Sequence, residues 1–176
     1  MSRTSRRAAA LAVALGALLL VGAGPAPAAP APPERGHEGL VQATLAANPG
    51  SVRLSTNEIQ LEPGLVMTLP GKGEQARGIP CNYLYFCLYE HAYWKGAGLG
   101  MSACKGYILS HYLFWNGTEH QWDDWAFDAS SWNNNQSGGV RATLWKANGL
   151  RSWLPVAKDD HMIPGWNDAP VKAKPC

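Results

Sequence analysis

All four cysteines and all eight tryptophans of this 176-residue chain lie at or beyond residue 81. No other feature constrains the fold as strongly. A body of about a hundred residues has little core to bury, and bridged sulfurs with large indoles are common ways to brace one. Residues 81–176 are therefore read as the folded centre, and what precedes them needs its own account.

Within 81–176, apolar and aromatic runs such as YLYFCLY (83–89) and VRATLW (140–145) alternate with turns rich in Gly, Asn, Asp and Ser. No long stretch carries a helical apolar period, so an all-β fold is expected, two antiparallel layers in a sandwich. Cys81, Cys87, Cys104 and Cys176 allow three pairings. The preferred one closes a local loop from Cys81 to Cys87 and tethers the C-terminus through Cys104 and Cys176. Six residues of straight strand would span about 20 Å. A turn at Asn82 to Leu84 must therefore bring the ends within roughly 6 Å. Pairing of Cys81 with Cys104 is the rival. No CxxC pair occurs, which argues against a zinc ribbon.

The first 28 residues read as a secretory signal peptide. Arg3, Arg6 and Arg7 precede an apolar stretch from Ala8 to about Val21, and Ala26-Pro27-Ala28 offers a cleavage site. Gly22, Gly24 and Pro25 break the stretch short of the roughly 20 residues a membrane helix needs. The expected location is extracellular, with no membrane attachment after processing. The signal peptide takes three arginines and no acid from a chain with 15 basic and 13 acidic residues, leaving a mature charge of −1. The remaining Lys and Arg form no run, so no nucleic-acid partner is expected.

Residues 29–80 read as a proline-rich leader. A short helix is expected from Glu38 to Ala47, with Leu40, Val41 and Leu45 on one face. It stops at Asn48-Pro49-Gly50, where Pro49 disfavours helix at Asn48 and glycine accepts a left-handed turn. SVRLSTNEIQL and LVMTL around Glu62-Pro63-Gly64 predict a β-hairpin. A lone hairpin is marginal, so this arm must dock or stay loose. Gly71 to Pro80 is a second linker. Propeptide, docked arm and spacer all remain open for the leader.

Tyr89-Glu90-His91-Ala92-Tyr93-Trp94-Lys95-Gly96 places an aromatic, four residues, an aromatic, one residue and a glycine. Such spacing suits a strand folding over into a short hairpin, with glycine at a backbone angle closed to other residues. With Trp132 and WNNNQSGGV downstream, it resembles the Greek-key signature of βγ-crystallin-type domains, carried by Tyr89, Trp94 and Gly96. CNYLYFCLYEHAYWKG, DASSWNNNQSGGV and GWNDAPVK occur in the order seen in a family of secreted bacterial peptidase inhibitors of βγ-crystallin-like fold. NPGSVRLSTNEIQLEPGLVMTLPG is similar to the leader of many such sequences. The resemblance implies a Greek-key sandwich with keys at roughly 81–138 and 139–176. It also implies an inhibitor of extracellular metalloproteinases acting through a preorganised loop, as the family's type member acts on thermolysin-like enzymes. The family's inhibitory loop has no residue-by-residue match here, so that loop is unassigned. The second key departs from the pattern: Trp145 can open it, but Leu150 and Ser152 stand where aromatic and glycine belong. A looser or shifted second hairpin is expected.

Domains of this type often bind calcium through loops reading N/D-N/D-x-x-S/T-S, whose oxygen donors suit a hard cation. Three partial copies are present. Residues 126–131 keep the hydroxyls of Ser130 and Ser131 without the acidic pair. Asn167 and Asp168 keep the pair but are followed by Val171 and Lys172. Asn133, Asn134 and Ser137 lack any carboxylate, and Asn, Ser and Gly of this kind also satisfy turns locally. No cofactor is required; Ca²⁺ is the one ion weighed. No HExxH, G-x-S-x-G or Walker loop occurs, and an enzyme is not expected. His111, His120, Asp123 and Asp124 read as a solvated turn. The runner-up function is binding of cell-wall or environmental polysaccharide through Trp115, Trp122 and Trp125; a third is a calcium-stabilised structural protein. Asn116-Gly117-Thr118 reads as a tight turn.

Overall fold

The structure is a computed structural model that describes residues 30–33, 36–71, 78–116, 119–159, 161–162 and 164–176. Residues 1–28, read from the sequence as a signal peptide, and Gly117-Thr118 lie outside the described residues. Helix α1 (His37–Ala47) opens the described fold. Val41 and Thr44 are buried along its inner side, and Leu40 and Leu45 pack partly buried against the core. It ends at Asn48, whose side chain grips the far hairpin: Nδ2 donates to the Leu113 carbonyl at 2.8 Å and Oδ1 accepts from the Leu113 N–H at 2.9 Å. One buried amide thus gives Leu113 both partners that a neighbouring strand would give.

Next come β1 (Val52–Arg53), β2 (Glu58–Glu62) and β3 (Leu65–Thr68). Ile59 and Leu61 alternate inward along β2, the period-2 pattern of a half-buried strand. Gly64 holds the turn at φ +81°, where a Cβ would meet that of Ala103 at 2.5 Å. The hairpin of the leader is docked on the sheet. β3 pairs antiparallel with β5 (Lys95–Met101), from Leu65 opposite Met101 to Thr68 opposite Gly98. The hairpin extends the sheet and fills the same core as the strands beyond residue 81.

The remaining strands are β4 (Phe86–His91), β6 (Tyr107–Ile108), β7 (Leu113–Asn116), β8 (Gln121–Asp124), β9 (Ser131–Asn134), β10 (Ala142–Lys146), β11 (Arg151–Leu154), β12 (Ala157–Asp159) and β13 (Pro170–Lys174). They form a seven-stranded sheet of order β1-β2-β3-β5-β4-β9-β12, a four-stranded sheet of order β11-β10-β13-β6, and a separate β7-β8 hairpin. All pairings are antiparallel. The molecule is therefore mainly β, with α1 on one side. β6, which follows β5 in the chain, edges the small sheet, and β12, which follows β11, edges the large one.

Phe86 and Leu88 of β4 point into the main core with Leu144, Leu154 and Ala173 of the small sheet. Cys87 and Tyr89, on the opposite face, form a second cluster with Ile79, Cys81 and Trp94. Both preferred disulfides are present, with Cα–Cα distances of 5.9 Å for Cys81–Cys87 and 5.3 Å for Cys104–Cys176. Among the described residues no helix is long and apolar enough to cross a membrane.

The β10-β11 hairpin is not loose. Its partners run in register from Ala142 opposite Leu154 to Trp145 opposite Arg151. Asn148-Gly149 supplies the turn, with Gly149 at φ +82° and the Lys146 N–H on the Leu150 carbonyl at 2.8 Å. The left-handed angle has moved into the turn, so Ser152 is never asked for one.

Candidate functional site

Tyr89, Trp94 and Gly96 converge on one folded hairpin. After β4 the backbone turns through Tyr93 (φ 62°) and Trp94 (φ 58°) to Gly96 (φ 76°). A Cβ on Gly96 would lie 2.5 Å from Glu90 Oε2, and that oxygen accepts the Ala97 N–H at 2.9 Å. Burial raises the Glu90 carboxyl, and this N–H works against the rise. Ser131 Oγ ties the fold down, donating to the His91 carbonyl at 2.7 Å and accepting the Trp94 N–H at 3.1 Å. Tyr89 is 1% exposed, and burial carries its phenol well above the ordinary range. These residues are scaffold, and they support the loop beside them.

That loop runs from Cys81 to Cys87. The Tyr85 N–H donates to the Asn82 carbonyl at 3.1 Å, closing a turn at the place the disulfide required. Asn135 clamps it from β9's end. Its carbonyl accepts the Leu84 N–H at 2.9 Å, its N–H donates to the Tyr85 carbonyl at 2.9 Å, and its Nδ2 donates to the Cys81 carbonyl at 2.9 Å. So held, the turn turns apolar surface outward: Tyr83 is 68% exposed and Leu84 49%, with Leu84 in the left-handed region at φ 71°. Gly98 and Gly100 of β5 let the Tyr89 and Tyr85 rings lie close over the strand, and a shallow groove runs beside them with Ile79, Pro80 and Asn82. Tyr83, Leu84 and Asn135 lie within segments the sequence singles out, but none is marked there as a docking residue. The one signal in the sequence is the run of large side chains, Tyr83 to Phe86, inside so short a cysteine loop.

The three partial calcium loops fare differently. Asn134 is 1% exposed; its Nδ2 donates to the Val140 and Leu154 carbonyls at 3.1 and 3.0 Å, and its Oδ1 accepts from Gln136. It stitches β9 to the second hairpin instead of facing a cation. Asn133 lies within β9, and Ser137 follows it in the turn to β10. The other two loops do meet: Ser130 donates to Asp168 Oδ1 at 3.0 Å, the Asp168 N–H donates to the Ala129 carbonyl at 3.1 Å, and Asn167 donates to Asp168 Oδ2. They border an open cleft of about 420 Å³ lined by Glu119, Asp123, Asp124, Asp128 and Asp168. Burial first, then the charges of Asp123, Glu90, Asp168 and Glu119, push Asp128 up to about 7. Among the described residues no three His, Cys, Asp or Glu side chains are grouped to hold a metal ion. Asp123 and Asp124 instead accept the N–H groups of Asp124 and Ala126.

Trp115, Trp122 and Trp125 do not make a flat sugar platform. Trp125 is fully buried beside Phe114, and Trp115 and Trp122 meet edge-on, 5.7 Å apart at 76°. The Trp122 Nε1–H reaches the Ala31 carbonyl at 2.9 Å. The cluster is a packing feature of the β7-β8 hairpin. Comparison with protein-family models, curated proteins and solved structures finds no match.

Proposed function

We propose that this chain is a secreted peptidase inhibitor-like protein of βγ-crystallin-type fold, and that the Asn82–Tyr85 turn is its docking tip. The fold reading rests on the Tyr89-Trp94-Gly96 folded hairpin and on two four-strand sets, one of β4, β5, β6 and β9 and one of β10 to β13, that exchange their third strands between sheets. The functional reading rests on one observation: the disulfide- and Asn135-clamped turn that presents Tyr83 and Leu84 to solvent. A side chain already held outward loses little freedom on entering an apolar pocket, so more of its burial appears as affinity. Leu84 at φ 71° is also far from the extended backbone that strand-like peptide recognition uses. The tip therefore plugs a cleft without offering a bond in cleavable geometry.

The test uses thermolysin and the chain from residue 29 onward. Inhibition in the micromolar range or tighter is expected, weakened about tenfold or more by Tyr83→Ala with Leu84→Gly. Leu84→Gly relieves the left-handed angle, so loss of inhibition with an unchanged or raised melting midpoint separates docking from folding. No inhibition by the native protein at about 10 μM, a concentration that fills a micromolar site, refutes the metalloproteinase reading.

A further inference from the structure

The basic residues scattered along the sequence are gathered by strand register onto one surface. On β10, Trp145 lies opposite Arg151 of β11 and Lys172 of β13, and Lys172 lies opposite Ile108 of β6. A row Arg151–Trp145–Lys172–Ile108 thus crosses all four strands of the small sheet. A second row, Trp153–Thr143–Lys174, runs beside it. The intervening residues Ala142, Leu144, Leu154 and Ala173 are buried in the core, so both rows face outward.

This outer face has a single sign of charge. Its outward positions carry Arg151, Lys172 and Lys174, and the four strands hold no Asp or Glu. Ion pairs among the described residues join Arg53 to Glu38, His91 to Glu90 and Lys105 to Glu62, all elsewhere. The cations of this face lie instead over indoles: Arg151 is 5.4 Å from the Trp153 ring and Lys172 is 5.0 Å from the Trp145 ring. Trp153 is 55% exposed and Ile108 47%, although neither outward side chain braces the core.

We infer that this face binds an anionic polysaccharide. Indole faces stack on the apolar face of a pyranose ring, and the flanking cations pair with its carboxylates. With neighbouring strands about 4.8 Å apart, Arg151 and Lys172 stand about 10 Å apart on either side of Trp145, a spacing that reaches alternate rather than adjacent sugars of an acidic chain. Two disulfides fit an oxidising setting outside the cytosol, in keeping with an extracellular glycan as the occupant. The site is independent of the docking tip, which lies on the opposite sheet.

Affinity electrophoresis of the mature chain through polygalacturonate tests this, with dextran and oligo(dT) as comparison matrices. Retardation in polygalacturonate that weakens with added salt is expected, with none in dextran. Arg151→Gln with Lys172→Gln should cut affinity about tenfold and flatten the salt dependence, two charge-assisted contacts being lost. Trp153→Ala should cut it several-fold and leave the salt slope alone. These exposed positions leave melting midpoint and thermolysin inhibition unchanged, so either reading can fail without the other. Absence of retardation at low salt, retardation indifferent to all three substitutions, or tighter binding to oligo(dT) than to polygalacturonate overturns the inference.

Discussion

Deleting residues 29–69 should abolish cooperative folding of the remainder. The segment contributes Val41, Ile59, Leu61, Leu65, Met67 and Leu69 to the main core, none more than 8% exposed. At about 1.5–3 kcal/mol for each buried side chain, their burial is worth on the order of 10 kcal/mol before chain entropy is set against it. A domain of this size has a net stability of roughly 5–15 kcal/mol. Deletion also strips the β3 ladder from β5 and bares Leu99 and Met101, both fully buried in the intact chain. Residues 81–176 expressed alone should then bind an apolar dye, lose near-ultraviolet dichroism and melt without a sharp transition. Supplying 36–71 as a separate peptide should restore part of the signal. A fragment that unfolds cooperatively within about 1 kcal/mol of the intact protein, well below the burial figure, would refute the claim that the leader is part of the core.

Three substitutions probe the scaffold. Asp128 is raised from 3.8 to about 7 in the native state, so the stability its proton confers is complete below pH 4 and lost as pH rises through 7. Asp128→Asn should therefore stabilise by about 2 kcal/mol at pH 8, after discounting for solvent screening, and by almost nothing at pH 4, read from denaturant titrations. Gly96→Ala puts a Cβ 2.5 Å from Glu90 Oε2 at φ 76°, and about 3 kcal/mol should be lost in thermal unfolding. Asn48→Ala removes both bonds to Leu113; about 2 kcal/mol should go, with faster amide exchange in α1 and β7 together.

Local constraints were legible in the sequence, and long-range register was not. The Cys81–Cys87 bridge could be anticipated because six residues close only through a turn, and the turn is there. The β2-β3 hairpin was visible in its Pro-Gly signal, but nothing in LVMT says which strand edge it joins. That depends on β5, whose small residues also open the groove beside Tyr85. Ser152 looked like a defect because the glycine was expected at a fixed offset, whereas Asn148-Gly149 meets the same need a few residues earlier. Trp115, Trp122 and Trp125 were grouped by proximity in sequence; alternation and a hairpin send Trp125 inward and set the other two edge to edge. The cationic face was invisible for the converse reason, since residues 108, 145, 151, 153, 172 and 174 meet only through pairing across four strands.

The small formal net charge of +2 also conceals a separation that bears on both proposals. Five carboxylates, Asp128 among them, line one cleft, while the charged side chains Arg151, Lys172 and Lys174 on the outer face of the small sheet are all cations. The proposed docking tip adjoins the cluster of Cys81, Cys87 and Tyr89 on the outer side of the large sheet, and the glycan face is the outer side of the small sheet, with the core between them. Neither surface shares a residue with the other, so occupying one leaves the other open. Protein immobilised on polygalacturonate beads should then deplete thermolysin activity as effectively, mole for mole, as protein in solution. If immobilisation abolished inhibition while free protein retained it, the two surfaces would have to overlap, and the placement of the tip or of the glycan face on opposite sheets would be wrong.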